Sequence, residues 1–196
     1  VKVPFGDTDA LRNAITKNTV AFLVEPIQGE GGINIPPDNH LWDISSVCKG
    51  NNVLLVLDEI QTGFGRTGKK FEFFNQCPEP DLLIVGKTLG GGPLAVSAVV
   101  GKNEVMEVIE PGDDGSTFGG NPLACAVAIE AMKVIEEEGL VQNAFELGPY
   151  FIGCLKHMGS PLIKEVRGRG LMVGVELRQN NARTVCEELL HKGILC

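Results

Sequence analysis

The chain has 196 residues, of which 43% are hydrophobic and 21% charged, and a formal net charge of −8. These proportions are ordinary for a globular protein, and the acidic balance argues against nucleic acid or an anionic membrane surface as a partner. No apolar run approaches the roughly 20 residues of a membrane-spanning helix, and Val1 is not a natural start, so we expect the native N-terminus to lie upstream.

The first half of the sequence alternates helix and strand signals. Several of its apolar runs are short and unbroken, which is typical of strands buried on both faces of a parallel sheet. The pattern predicts an α/β fold, mainly a parallel sheet with helices on both faces. We expect helices over residues 9–15 and 37–48, and strands over residues 20–24, 53–57, 82–85 and 96–100.

The second half begins with the longest helix signal. Asn121 is a good N-cap before Pro122, and Gly139 is a good stop signal. A further helix is expected from Val141 to His157, kinked or split by Pro149. Beyond Ser160-Pro161 the pattern predicts strands at 163–167 and 171–177, a helix at 182–192 and the start of a strand at 193–196. We therefore place residues 1–158 in a large α/β domain and residues 159–196 in the beginning of a small α+β domain.

Cysteine and histidine residues are scattered along the chain. The six cysteines form no C-x-x-C pair, so we expect reduced, mostly buried thiols and a cytoplasmic protein. The pattern gives no reason to expect a disulfide framework or a metal site.

Two predicted strands end on charged residues. One runs into Asp58, and the next runs through Gly86 into Lys87. Ligands of parallel sheets bind beyond the carboxyl ends of the strands, so the two side chains are candidates for one site. An amine that forms an imine and a carboxylate that holds a pyridinium nitrogen are the groups that pyridoxal phosphate requires. The alternatives are a buried ion pair or a lysine that faces solvent.

An ATPase would also place Asp-Glu at the end of an apolar strand. Gly86-Lys87-Thr88 is similar to the end of a phosphate-binding loop. That loop needs a glycine where Asp81 stands, and it normally precedes the acidic strand. The sequence therefore disfavours this alternative.

Four motifs in order give a specific resemblance to a known family. They are residues 24–32 (VEPIQGEGG), 57–68 (LDEIQTGFGRTG), 86–92 (GKTLGGG) and 115–122 (GSTFGGNP). Together they resemble the class III (subgroup II) pyridoxal-phosphate aminotransferases, which have the fold-type I architecture. Within that class the chain is most similar to the ornithine-specific members, and the resemblance covers Phe5 to Cys196.

The resemblance implies roles for individual residues at the cofactor. Lys87 matches the lysine to which pyridoxal phosphate attaches, and Asp58 matches the carboxylate that keeps the pyridine nitrogen protonated. Gln61 matches the amide beside the phenolic oxygen of the cofactor. Ser116 and Thr117 match a segment that reaches the cofactor phosphate of a neighbouring subunit.

Glu25 and Glu30 match two acids on the substrate side of the family's site. On sequence grounds alone, the alternative for Glu25 is a cap at a strand end without a role in binding. The alternative for Glu30 is an exposed loop charge. For Arg167 and Arg169 we favour a structural role over binding of a substrate carboxylate.

The implied reaction transfers the terminal amino group of ornithine to a 2-oxo acid, giving glutamate 5-semialdehyde and an amino acid, as part of arginine and proline metabolism. Acetylornithine or another ω-amino acid is the alternative donor. We expect a homodimer or higher oligomer. Family members are longer, and the phosphate loop, the stacking ring and the substrate arginines are not assignable here. A catalytically dead fragment that acts as an interaction module is therefore a second hypothesis.

Overall fold

A four-stranded sheet forms the centre of the computed structural model, which describes residues 1–76 and 79–196. The strands lie in the order β1 (Ala21–Val24), β2 (Leu54–Asp58), β3 (Leu82–Val85) and β4 (Ala98–Gly101). The first three strands are parallel, and β4 pairs with β3 in the antiparallel direction. The fold is thus α/β with a mainly parallel sheet, as the apolar runs predict. Among the described cysteines Cys48 is buried, while Cys125, Cys154 and Cys196 are exposed and Cys186 is intermediate, so the expectation of mostly buried thiols is wrong. Cys77 lies outside the described residues.

Six helices and a second sheet complete the described part of the chain. A two-stranded antiparallel hairpin is formed by β5 (Ile163–Arg169) and β6 (Met172–Leu177). Short 3₁₀ turns occupy Glu72–Asn75 and Lys87–Gly90. The helices are α1 (Thr8–Ala14), α2 (His40–Gly50), α3 (Asn103–Met106), α4 (Pro122–Glu137), α5 (Leu140–His157) and α6 (Ala182–His191).

The hydrophobic core lies between the sheet and the pair α1–α2. Apolar positions of α2 recur at helical spacing, so one face of the helix is buried. Leu41 and Ile44 of α2 and Leu57 of β2 are fully buried. Burial of a side chain of this size contributes about 1.5–3 kcal/mol. This packing fixes β2, and with it the position of Asp58 at the strand's end.

The start of α4 follows its sequence signal. The Asn121 side chain accepts a hydrogen bond from the Ala124 amide at 2.9 Å, and Pro122 occupies the first turn. A cap of this kind is worth about 1 kcal/mol. None of the helices in the described ranges is long and apolar enough to cross a membrane.

Two expectations about the secondary structure are wrong, and of the kinked or split helix expected at Pro149 the split is excluded. Helix α2 begins at His40 rather than Pro37, because Asn39 adopts a left-handed conformation with φ 64°. Pro149 does not split α5, which continues from Leu140 to His157 and packs tightly against the hairpin at Gly148.

The second error concerns residues 193–196, where the structure has no strand. The Gly193 amide donates to the Leu190 carbonyl, and the Ile194 amide donates to the Leu189 carbonyl. These bonds satisfy the last carbonyls of α6, and Gly193 has the positive φ of 82° that such a cap favours. The segment therefore closes the helix instead of joining a sheet.

Candidate active site

The carboxyl ends of β1, β2 and β3 meet at one edge of the sheet. Val24 lies opposite Leu57, and Asp58 lies opposite Ile84. Glu25 follows β1 directly, Asp58 ends β2, and Lys87 comes shortly after β3. The structure therefore brings the predicted acid and amine to neighbouring strand ends.

Lys87 has an unusual backbone conformation. It is the first residue of a 3₁₀ turn and has a φ of 43°, in the left-handed region that non-glycine residues seldom adopt. Strain of this kind costs of order 1–3 kcal/mol and persists only where the surroundings impose it. Here Leu89 and Gly90 of the same turn are buried, and the Leu89 amide donates to the Gly86 carbonyl at 3.0 Å. The turn thereby presents an exposed lysine side chain beyond the strand.

Asp58 retains a carboxylate oxygen for a further partner. Its Oδ1 accepts a hydrogen bond from the Ile60 amide at 3.0 Å, which fixes the carboxylate orientation. Among residues 1–76 and 79–196, neither Asp58 nor Lys87 takes part in an ion pair, with each other or with any other group. The strand-end ion pair that the sequence left open is therefore not formed.

Gln61 and Glu30 are brought together by the loop after β1. The Gln61 side-chain amide donates to Glu30 Oε1 at 3.0 Å. A Cβ atom at Gly29 would lie 2.3 Å from Gln61 Oε1, so a larger residue there would displace the Gln61 side chain. Glu25 Oε2 accepts from the Gly29 amide at 3.0 Å. Glu25 thus orders the loop from within, while Glu30 is exposed beside Gln61.

A cavity of about 330 Å³ lies beside Lys87. This volume is at the lower end of the range for small-molecule sites. Ile60 and Gln61 contribute to one wall, and the start of β6 contributes another. The cavity is thus bounded by both sheets, with its hairpin wall formed by Leu171, Met172 and Val173.

Ser116 and Thr117 lie away from this cavity, in an exposed stretch that spans residues 107–120. The Ser116 hydroxyl accepts a hydrogen bond from the Gly119 amide at 2.9 Å. The structure therefore does not bring these two residues to the Lys87 cavity of their own chain. Their contact with a neighbouring subunit remains a prediction.

Sequence reasoning missed the contacts around Glu59. This carboxylate is fully buried and accepts hydrogen bonds from the Thr62 hydroxyl at 2.7 Å and from the Glu72 and Phe73 amides at 2.9 Å each. Burial raises the pKa of Glu59, although the donated hydrogen bonds oppose that shift. The only available signal was its place directly after Asp58.

Arg167 and Arg169 both bind groups of this chain. Arg167 donates to the Gly32 carbonyl at 2.8 Å and forms ion pairs with Glu176 at 2.7 Å and Glu165 at 2.9 Å. Arg169 pairs with the buried Glu72. These contacts agree with the structural role that the sequence favoured.

The residues at the sheet edge fit pyridoxal phosphate at two positions. Lys87 offers an exposed amine, and Asp58 offers a carboxylate that is already oriented by the Ile60 amide. Both requirements of the cofactor's ring and aldehyde are met by these groups. No cluster in the described residues has the His, Cys, Asp and Glu ligands that would hold a metal ion.

Comparison with known proteins defines the class. The profile of the aminotransferase class-III family matches residues 6–196. The chain therefore belongs to the class-III aminotransferase family, whose members use pyridoxal phosphate.

Individual relatives show which kinds of family member the chain is similar to. Ornithine aminotransferase from Brevibacillus brevis is 56% identical over 99% of this chain and 48% of its own length. The structure of ornithine aminotransferase from Toxoplasma gondii, crystallized in presence of oxidized glutathione and with partial occupancy of PLP at its active site, has a TM-score of 0.95 and 45% identity, over 99% of this chain and 47% of that one. Acetylornithine aminotransferase from Elizabethkingia anophelis has a TM-score of 0.95 and 43% identity, over 100% and 51%. The chain thus spans about half the length of the curated relatives it matches.

Proposed function

We propose that the protein to which this chain belongs transfers the terminal amino group of ornithine to a 2-oxo acid, with pyridoxal phosphate as cofactor. The observation that carries the proposal is the placement of Asp58 and Lys87 beyond adjacent parallel strands, both free of ion pairs within the described ranges. The choice of ornithine rests on the 56% identity to an ornithine aminotransferase.

The chain's own residues have distinct tasks in this proposal. Pyridoxal phosphate, when bound, supplies an electron sink for the electrons left when the substrate carbon loses its proton. Lys87 Nζ would hold the cofactor and, as a free amine, would move the substrate proton. The Asp58 carboxylate would keep a proton on the ring nitrogen, which would strengthen the sink. Gln61 supports the phenolic oxygen of the ring.

Substrate recognition is assigned to Glu25 and Glu30. Both carboxylates follow β1 at the edge that holds the Lys87 cavity, and Glu30 is hydrogen-bonded to Gln61 at 3.0 Å. Negative charge at this edge suits a substrate with two amino groups. The likeness to an acetylornithine aminotransferase supports acetylornithine as the second candidate donor. Turnover of ornithine and of acetylornithine under matched conditions decides between them.

The test of the proposal is Lys87→Ala in the complete protein. We expect loss of the visible absorbance of lysine-bound cofactor, loss of the borohydride-fixed label at residue 87, and loss of nearly all turnover. Lys70→Ala is the matched control, because Lys70 is an exposed lysine whose ion pair with Glu136 at 3.2 Å lies on the surface. Substantial transamination by Lys87→Ala without added amines would sink the assignment.

We also propose a cytoplasmic homodimer or higher oligomer in which Ser116 and Thr117 reach the cofactor phosphate of the other subunit. Their exposure, together with that of residues 107–120 as a whole, supports this arrangement. The division into residues 1–158 and 159–196 belongs to the same proposal, and the separate four-stranded and two-stranded sheets support it. Cross-linking through a cysteine at position 116 would test the subunit contact.

Residues 1–196 alone should bind pyridoxal phosphate weakly and should not transaminate ornithine. The attachment lysine and the ring carboxylate are present, but positioning by further groups supplies most of the rate. Glutamate formation from ornithine and 2-oxoglutarate measures activity, and light scattering measures size. A monomer with turnover near the usual enzyme median of about 10 per second would contradict this expectation.

An interaction module without catalysis is the second candidate. The observation in its favour is the exposure of large apolar side chains on α4 and α5, among them Leu123 at 66% and Tyr150 at 70%. The visible absorbance of lysine-bound cofactor separates the two candidates, because an interaction module needs no such attachment.

A further inference from the structure

A buried acid stands immediately after the proposed ring carboxylate. Glu59 is fully buried and accepts three hydrogen bonds, two of them from the amides of Glu72 and Phe73. These two bonds hold the start of the 3₁₀ turn Glu72–Asn75 against the end of β2. Glu59 therefore fixes the backbone position from which the Glu72 side chain extends.

The next contact crosses from the large sheet to the hairpin. Glu72 is 1% exposed, and its carboxylate accepts from the Asn75 side-chain amide at 2.8 Å and forms an ion pair with Arg169. Arg169 is the last residue of β5 and is 97 residues away in sequence. A buried carboxylate without its cation would be left uncompensated, so the pair strongly favours one position of the hairpin.

The turn that follows Arg169 is packed against backbone. A Cβ atom at Gly170 would lie 2.4 Å from the Thr67 carbonyl carbon, and one at Gly148 of α5 would lie 2.3 Å from the Gly170 oxygen. The Leu171 amide donates to the Arg66 carbonyl at 2.9 Å. The hairpin turn thus fits in a slot between the loop after β2 and helix α5.

We propose that Glu72 and Arg169, oriented by Glu59, are positioning residues that hold the hairpin wall of the Lys87 cavity in place. Leu171, Met172 and Val173 come directly after the docked turn and line that cavity. When the ion pair is lost, the turn leaves its slot and the wall loses its fixed distance from Lys87. The consequence for substrate binding rests on the proposed function, while the docking of the hairpin does not.

The first test measures the docking of the hairpin turn by amide hydrogen exchange and does not depend on activity. In Arg169→Met the side chain keeps an unbranched apolar stem and loses its charge and its hydrogen-bond donors. We expect the Leu171 amide to exchange with solvent at least about tenfold faster, since loss of one partner from a buried ion pair is strongly destabilising. The Glu59 amide, which donates to the Ile84 carbonyl at 2.9 Å within the large sheet, should keep its protection. Arg169→Lys should restore part of the protection at Leu171.

Arg183→Met is the matched control, because Arg183 pairs with Glu187 on the exposed surface of α6 at 3.0 Å. It should leave both amides unchanged. Glu72→Gln is the second variant should Arg169→Met fail to fold, since glutamine keeps the hydrogen bond with Asn75 while the charge is removed. Unchanged exchange at Leu171 in Arg169→Met and Glu72→Gln would overturn the proposal. Equal loss of protection at Leu171 and Glu59 would also overturn it, because the pair would then only stabilise the whole fold.

The second test concerns the wall of the site in the complete protein with pyridoxal phosphate. We expect Arg169→Met to raise KM for the amino donor about tenfold with a smaller effect on kcat, as for a lost binding contact. Arg183→Met should match the unaltered protein. Faster exchange at Leu171 with unchanged KM would show that the pair docks the hairpin but does not serve the site, and would overturn the positioning role. Absence of activity in the unaltered protein would instead refute the proposed function and leave the exchange result intact.

Discussion

The region around α2 and β2 and the region around α4 and α5 are both rich in apolar residues, yet they are buried to very different degrees. Leu41, Ile44 and Leu57 in the first region are fully buried, whereas Leu123 and Tyr150 in the second are 66% and 70% exposed. Both regions carry regular helices. The difference shows that local sequence signals specify the helices but do not bury their apolar faces. Burial requires other parts of a protein to pack against them.

The exposed faces have a natural explanation in the length of the chain. It spans 48% of the ornithine aminotransferase from Brevibacillus brevis, so about half of that relative has no counterpart here. Exposed apolar patches are typical of surfaces that contact other protein. The covered region holds Asp58, so the proposed cofactor position depends on the part of the fold that is buried within this chain.

The largest contrast should appear in stability. Leu57→Ala removes a fully buried side chain next to Asp58 and should destabilise the protein by about 2–5 kcal/mol. Leu123→Ala is the matched control on the exposed face and should stay within about 0.5 kcal/mol. Denaturant titration of both variants measures the two free energies of unfolding. Equal losses would show that the α4 face is covered in solution and would break the comparison.

The next effect concerns chemistry at the covered edge. Asp58→Asn should leave the fold intact, because asparagine can still accept the Ile60 amide hydrogen bond. On the proposed role, loss of one charge-assisted hydrogen bond is worth about 1.5–3 kcal/mol, which corresponds to roughly one to two decades in rate. Turnover of the complete protein with saturating cofactor is the measurement. Unaltered kinetics would mean that another group holds the ring nitrogen.

The strands of the covered region could be predicted from the sequence. The strands at residues 54–58 and 82–85 and the placement of Asp58 and Lys87 at one edge follow from unbroken apolar runs and from the geometry of parallel sheets. The N-cap of α4 at Asn121 could also be predicted, because it depends only on residues close in sequence. These features are local, or follow from a general rule of sheet topology.

Contacts between segments distant in sequence could not be predicted. The pairing of Glu72 with Arg169 joins residues 97 apart, and no local pattern marks it. The continuity of α5 through Pro149 is a similar case, because the cost of the proline is local whereas the packing of Gly148 against Gly170 is not. The roles of Gln61, Ser116 and the two substrate acids came from resemblance alone and remain predictions.

A smaller effect should appear as the covered region is acidified. His40 is 4% exposed at the start of α2, and burial lowers its pKa from 6.5, with Asp43 opposing the shift. The folded state then binds the proton less readily than the unfolded state, so stability is fully present above pH 6.5 and is lost as the pH falls through the lowered pKa. The slope from one group stays below about 1.4 kcal/mol per pH unit.

Unfolding free energies at about pH 7.5 and pH 5.5 measure this dependence. His40→Gln should flatten the curve between the two values, while His157→Gln, on the exposed end of α5, should leave it unchanged. A slope that survives His40→Gln would assign the acid sensitivity to another group.

The smallest effect on stability, and the sharpest test of the uncovered face, comes from Leu123→Ser combined with Tyr150→Ser. Both side chains are largely exposed, so their loss should change the free energy of unfolding by less than about 0.5 kcal/mol. The same change should reduce self-association of residues 1–196, because exposed apolar area drives contact between copies. Light scattering over a range of concentrations measures the association, and Glu137→Ser at the end of α4 is the polar control. An unchanged size distribution in the double variant would show that association, if present, uses another surface, such as the edge of β1 or β4, where unpaired backbone groups can also recruit a second chain.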